Sequence, residues 1–113
     1  MSAVALYISA AIVALAITAV SADAAVVDVH LRGQKFEPTI VSAKPGDTIV
    51  FHNDDAALHS VFSPDNEALM AEHFINPGAS YEVVIPANAE SRSYNLVCTV
   101  HMGMRGTLQI IAR

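Results

Sequence analysis

The chain has 113 residues, a formal net charge of −5 and one cysteine, Cys98. This length suffices for a single domain. The acidic balance and the lack of a basic run argue against nucleic-acid binding, and a single cysteine excludes an intrachain disulfide.

The N-terminal segment is apolar and uncharged. Residues 1–22 carry no charged side chain, and small residues follow in the pattern Ala22-Asp23-Ala24. The segment predicts an export signal over residues 1–24 and a mature domain over residues 25–113, in the periplasm or otherwise outside the cytoplasm. No Lys or Arg precedes the apolar run, and the run approaches the roughly 20 residues that cross a bilayer. An uncleaved membrane anchor is therefore the alternative.

The mature segment alternates short β-branched or aromatic runs with turn residues, which predicts strands rather than helices. Strong turn signals lie at Lys44-Pro45-Gly46-Asp47 and Asn76-Pro77-Gly78, because Pro presets φ and Gly accepts positive φ. In chain order, the predicted strands cover residues 26–31, 39–41, 48–52, 59–62, 81–85, 93–98 and 107–112.

One segment has helical character. Ser63 is a plausible N-cap, Pro64 suits the first helical position, and acidic residues follow. This pattern predicts one short helix over residues 63–72. Seven or so short strands with close turns then indicate an all-β Greek-key sandwich with one short helix.

The segment that carries chemistry runs from Cys98 to Met104. His101 follows Cys98 by three residues and Met104 follows by three more, so a thiolate, an imidazole and a thioether can converge from one loop. His59, at the start of another predicted strand, could complete the set. Two imidazoles, a thiolate and a weak axial thioether are the ligands of a blue-copper electron-transfer site. Zinc fits less well, since its structural sites rarely use a thioether.

Metal binding would also explain how Cys98 persists as a free thiol. A free cysteine in an oxidising compartment is a liability, and a bound metal would both protect it and contribute folding free energy.

These residues resemble the cupredoxins, the type 1 blue copper proteins, and within that family the amicyanins. The C-x2-H-x2-M spacing, followed by Arg105-Gly106, resembles the amicyanin copper loop. Upstream, residues 44–51, Asn53 with residues 59–61, and residues 76–81 resemble further family motifs. The resemblance spans about residues 30 to 113, which is the mature domain.

The resemblance implies a Greek-key sandwich and one copper ion held by His59, Cys98, His101 and Met104. It implies a carrier of single electrons between a redox donor and acceptor of dehydrogenase or cytochrome type, and not an enzyme. We expect a monomer that meets a membrane only if the leader is retained. His101 is the expected exit for the electron, and protonation of His101 in the reduced state at low pH is a further hypothesis.

Two positions depart from the family pattern. The family usually has Asn where this chain has Ser60, whose shorter hydroxyl can still bond to Thr99. Amicyanin-like loops have Pro where this chain has Val100, which adds a backbone N–H near the thiolate. Both changes affect the surroundings of the ligands, where affinity and potential are tuned.

Alternatives stay open for ligands and function. Met102 competes with Met104 for the axial position, although spacing and resemblance favour Met104. A copper(I) carrier or chaperone would use the same ligands. A copper oxidase is disfavoured because the chain has no His-x-His pair and no C-x3-C motif. The remaining histidines, His30, His52 and His73, are predicted to have no functional role. Asp54-Asp55 is interpreted first as a solvent-exposed turn, and second as a charged patch that attracts a partner protein.

Overall fold

A computed structural model describes residues 24–112, and nearly all of the predicted leader lies outside this range. The described residues form nine strands. They are β1 (Val26–Leu31), β2 (Phe36–Glu37), β3 (Ile40–Ala43), β4 (Thr48–Asn53), β5 (His59–Val61), β6 (His73–Ile75), β7 (Ser80–Val84), β8 (Arg92–Val97) and β9 (Arg105–Ile110). No helix within residues 24–112 is long and apolar enough to cross a membrane.

The strands form two main sheets and one small ribbon. One sheet has the order β2-β1-β4-β7, the other β3-β9-β8, and β5 pairs with β6. The pairs β1·β4 and β3·β9 are parallel and the others antiparallel. The all-β sandwich predicted from the sequence is therefore confirmed, with two short strands, β2 and β6, that the sequence did not predict.

Alternation of side chains produces the core. On β4, Ile49 and Phe51 are fully buried, whereas the alternate residues Thr48, Val50 and His52 are half-buried. On β7 the inward Val83 precedes the exposed Val84, as the period of two requires. The second sheet contributes Leu96 and Leu108, both fully buried. Alternation in the sequence predicts Ile49 and Phe51 on one face of β4 and Val83 opposite Val84 on β7, and the structure confirms both.

The short helix predicted over residues 63–72 is wrong, since the described residues there form turns. The N–H groups of Leu69 and Met70 both donate to the Asn66 carbonyl, and the Asn66 side chain accepts a second bond from Leu69. Such local bonds from Asn compete with a continuous helix. The Ser63 N–H also donates to the Met70 carbonyl at 3.0 Å, which closes the segment into a loop and brings Met70 into the core.

The expected helix cap does not form either. Among the described residues, the buried Ser63 hydroxyl has no hydrogen-bond partner. Asp65, expected at a helix N-terminus, instead accepts the Asn95 backbone N–H of β8 at 2.7 Å. The conformation of residues 63–72 is therefore determined by contacts with β8 rather than by the local preference for a helix.

Because one face of each strand is buried and the other is exposed, truncating a buried side chain should lower the free energy of unfolding far more than truncating an exposed one. Leu108→Ala should lower the free energy of unfolding by about 2–5 kcal/mol, because it leaves a cavity at a fully buried position. The control Val84→Ala, at a position 62% exposed, should stay within about 0.5 kcal/mol of the parent. Equilibrium denaturant unfolding measures both, and equal losses would contradict the assigned faces.

Candidate metal centre

The seven-residue loop between β8 and β9, residues 98–104, carries three of the four predicted ligands, Cys98, His101 and Met104. The Cys98 N–H donates to the Met104 carbonyl at 3.0 Å, and the Met104 N–H donates to the His101 carbonyl at 3.2 Å. Gly103 turns the chain with a φ of 88°, a conformation that glycine adopts without steric cost. These bonds hold Cys98 and His101 on one compact loop.

His59 reaches this loop through the small ribbon. It begins β5, and the residue after that strand, Phe62, forms an isolated bridge with Val97 of β8. The bridge includes a bond of 2.9 Å from the Val97 N–H to the Phe62 carbonyl. His59 is fully buried. Tertiary pairing therefore places β5 beside the end of β8 and brings His59 to Cys98, 39 residues away in sequence.

The predicted His59, Cys98 and His101 converge on one point. Their nearest ligand atoms all lie within 4.8 Å of one another. The two Nδ1 atoms are 3.2 Å apart, and the Cys98 Sγ lies 3.9 Å from the His59 Nδ1 and 3.8 Å from the His101 Nδ1.

The size of this triangle fits a single metal ion. With metal–nitrogen and metal–sulfur bonds of about 2.0 and 2.3 Å, a trigonal centre separates its nitrogens by roughly 3.5 Å and each nitrogen from sulfur by roughly 3.7 Å. The observed spacings match these values within a few tenths of an ångström. Two imidazoles and one thiolate at that separation are the strong donors of a blue-copper site.

The two loop methionines differ in burial. Met104 is 2% exposed and belongs to the core cluster, whereas Met102 is fully exposed. Burial therefore distinguishes the two methionines, and the choice of Met104 as the axial ligand stays a prediction.

The Cys98 sulfur is surrounded by hydrogen-bond donors. Burial raises the pKa of the Cys98 thiol, but the N–H groups of Ser60 and Val100 and the two imidazoles outweigh it and lower the pKa to about 6. The Ser60 N–H donates to Sγ at 3.3 Å. The Val100 N–H, which a proline at this position would lack, is among the groups that lower this pKa. A lowered pKa supplies thiolate, the form that binds metal, at neutral pH.

Ser60 braces the loop that carries Cys98. Its hydroxyl accepts the Thr99 backbone N–H at 2.8 Å and lies 2.7 Å from the Thr99 hydroxyl. Ser60 is fully buried. The shorter side chain expected to reach Thr99 does so, with two hydrogen bonds.

The remaining histidines lie apart from this group. His30 stacks on His52 with ring centroids 4.8 Å apart, and His73 stacks on Tyr81 at 3.6 Å. Within residues 24–112 none of the three joins a cluster able to hold a metal ion.

The sequence interpretation missed the carboxylate next to His59. Asp55, interpreted as part of a solvated turn, has its Oδ2 2.7 Å from the His59 Nε2. The only sequence signal was its position four residues before His59.

Comparison with known proteins agrees with this geometry. The family model of the Cupredoxin-like domain matches residues 5–110. A Cu(I) form of a methionine-to-alanine variant of amicyanin is 25% identical, with a TM-score of 0.64 over 82% of this chain and 87% of that chain. A reduced proline-to-phenylalanine variant of amicyanin is 26% identical, with the same coverage and a TM-score of 0.61.

The same fold occurs inside a larger enzyme. A copper-containing nitrite reductase from Thermus scotoductus is 20% identical, with a TM-score of 0.61 over 74% of this chain but only 22% of that chain. At this identity the likeness concerns the fold alone.

The environment of Cys98 predicts a pH-dependent stability of the metal-free protein. Because the folded pKa of about 6 lies below the ordinary value of 9.0, the thiolate stabilises the fold fully above pH 9, and this contribution is lost as the pH falls towards 6. The free energy of unfolding should rise from pH 6 to pH 9, while thiolate ultraviolet absorbance titrates near pH 6. The Cys98→Ser control should lack the absorbance change and this part of the rise, and a thiol titrating near pH 9 would contradict the prediction.

The Ser60 brace predicts a second stability effect. Ser60→Ala removes both hydrogen bonds to Thr99, which should cost about 1–3 kcal/mol of unfolding free energy in the metal-free protein, at about 0.5–1.5 kcal/mol for each bond. Ser42→Ala, at an exposed hydroxyl, is the matched control and should cost less than about 0.5 kcal/mol. Denaturant titration compares them, and a Ser60→Ala cost as small as the control's would show that the brace contributes nothing.

Proposed function

The chain belongs to the cupredoxin-like family, and from this premise we propose that it transfers single electrons through one type 1 copper ion. The proposed ligands are His59, Cys98, His101 and, in the weak axial position, Met104. The observation that carries the proposal is the triangle of two Nδ1 atoms and one Sγ, with edges of 3.2, 3.8 and 3.9 Å.

The donor set suits a one-electron couple. Soft sulfur donors favour Cu(I), while imidazole accepts both oxidation states. A bound copper ion supplies the Cu(II)/Cu(I) couple. The protein contributes a constrained donor set, because hydrogen bonds of Ser60 and of the loop backbone hold the segments that carry the donors, so that a change of charge would require little rearrangement.

Differences in burial suggest the route of the electron. His59 is fully buried and Cys98 is 5% exposed, whereas His101 is partly exposed. Beside His101 lie Val100, 42% exposed, and the fully exposed Met102. We therefore assign His101 as the exit, since an apolar rim around it suits close approach of a partner protein.

The proposal extends to the compartment and the redox partners of the protein. A periplasmic or otherwise exported monomer would receive electrons from one redox protein and pass them to another, of dehydrogenase or cytochrome type. The donor set leaves catalysis to those partners, so the chain itself is not proposed as an enzyme. Charge steering by its acidic balance would favour basic partner surfaces.

Visible absorption of the purified mature domain tests the proposal. Addition of Cu(II) should produce an intense thiolate-to-copper band that bleaches on reduction and is missing in Cys98→Ala. Met104→Ala should shift the band or the reduction potential, whereas Met102→Ala, at the fully exposed methionine, should leave both unchanged.

The contrary outcomes are distinct. Absence of the band, with copper held only as Cu(I) and passed to a metal-free acceptor, would indicate a copper(I) carrier instead. Equal effects of the two methionine substitutions would remove Met104 from the proposed ligand set.

A further inference from the structure

The Asp55 carboxylate connects His59 to a distant turn. Its Oδ1 accepts the Gly33 N–H at 2.8 Å, and its Oδ2 accepts the Gln34 N–H at 3.0 Å. The same Oδ2 lies 2.7 Å from the His59 Nε2. The Asp55 side chain is 19% exposed and that of His59 is fully buried.

The turn between β1 and β2 is shaped to hold this carboxylate. Gly33 and Gln34 have φ values of 62° and 59°, so two successive residues occupy the left-handed region. Consecutive N–H groups in such a turn can point into one concavity and bind an anion. Gln34 is not a glycine, so its positive φ is uncommon and is maintained by surrounding contacts.

The loop that carries Asp55 is itself fixed. The Asn53 side-chain oxygen accepts the Asp55 N–H at 3.0 Å. The Asn53 side-chain nitrogen donates to the Ala57 and Ile75 carbonyls, each at 2.9 Å. The carboxylate therefore stands between two anchored segments rather than at a free loop tip.

The contact with Asp55 selects the protonation site of His59. The Asp55 carboxylate accepts two backbone N–H groups, one at each oxygen, so it acts as a hydrogen-bond acceptor towards His59 as well. The His59 Nε2 must then carry the proton. Its Nδ1 keeps a free lone pair, and that atom faces Cys98 and His101.

We propose that Asp55 is a positioning residue that fixes the tautomer and orientation of His59 and places a negative charge beside the metal centre. This inference rests on the proposed copper site. Partners of this kind orient histidine ligands and increase their basicity. A nearby negative charge also favours the more positive oxidation state, so Asp55 should strengthen Cu(II) binding more than Cu(I) binding.

The neighbouring Asp54 provides a matched control. Its carboxylate lies 2.7 Å from the His30 Nδ1 and 2.8 Å from the Arg32 guanidinium. It carries the same charge one residue away, yet within residues 24–112 none of its hydrogen bonds is to His59, Cys98 or His101. Asp54→Asn therefore removes a charge without removing the contact with His59.

The experiment compares Asp55→Ala, Asp55→Asn and Asp54→Asn in two states of the full mature domain. In the metal-free state, nitrogen NMR reports the His59 tautomer. His59 should be protonated at Nε2 in the parent, and it should no longer prefer this tautomer in Asp55→Ala.

In the copper-loaded state, Asp55→Ala should lower Cu(II) affinity by about 10- to 100-fold. Asp55→Asn, which keeps an acceptor oxygen, should recover part of that loss while still raising the reduction potential. Asp54→Asn should match the parent in tautomer and affinity.

The outcomes separate this inference from the proposed function. Asp55 variants that match Asp54→Asn in tautomer, affinity and potential would overturn the positioning role even if the blue band forms. A parent without a blue band would end the proposed electron-transfer role, while the metal-free tautomer would still decide whether Asp55 orients His59. Should Asp55→Ala fail to fold, Asp55→Asn supplies the same comparison.

Discussion

The structure depends on keeping three polar donor atoms together inside a small apolar sandwich. Two imidazole nitrogens and a thiol sulfur lie within 4.8 Å of one another, and burying such groups is unfavourable unless each has a partner. The chain meets this requirement at the two buried donor residues, Cys98 and His59, whereas His101 is half-buried. The Ser60 N–H faces the sulfur, Asp55 faces His59, and backbone hydrogen bonds close the loop that carries His101.

This requirement explains the rigidity of the surrounding elements. The isolated bridge between Phe62 and Val97 fixes β5 against β8, and the Ser60 hydroxyl ties the residue after Cys98 to the residue after His59. Two segments distant in sequence are thus joined by short hydrogen bonds on either side of the donor atoms. Donor residues held by such hydrogen bonds need little rearrangement when the charge of a bound ion changes, which is what the proposed one-electron transfer requires.

Sequence patterns predicted the strands correctly where alternate side chains face the core, and they failed where contacts between distant residues overrode the local preference of the chain. The period of two on β4 and β7 predicted the buried faces, because one face of each strand packs on the core. The helical signals of residues 63–72 failed, because Asp65 bonds to β8 and Met70 is drawn into the core. Strand β6 was missed for a related reason, since three residues acquire strand geometry only by pairing with β5.

The sequence alone determined the donor types and the loop that presents them, since Cys98, His101 and Met104 follow one another at intervals of three residues. It also indicated His59 as a fourth ligand and a sandwich as the scaffold. Only the tertiary structure decided that His59 reaches Cys98, because β5 approaches β8 through pairing between residues far apart in the chain. Only the tertiary structure revealed Asp55 as the partner of His59, because its second anchor is a left-handed turn 21 to 22 residues earlier. Spacing along the chain specifies which groups share a loop, whereas contacts between loops depend on how the sheets pack.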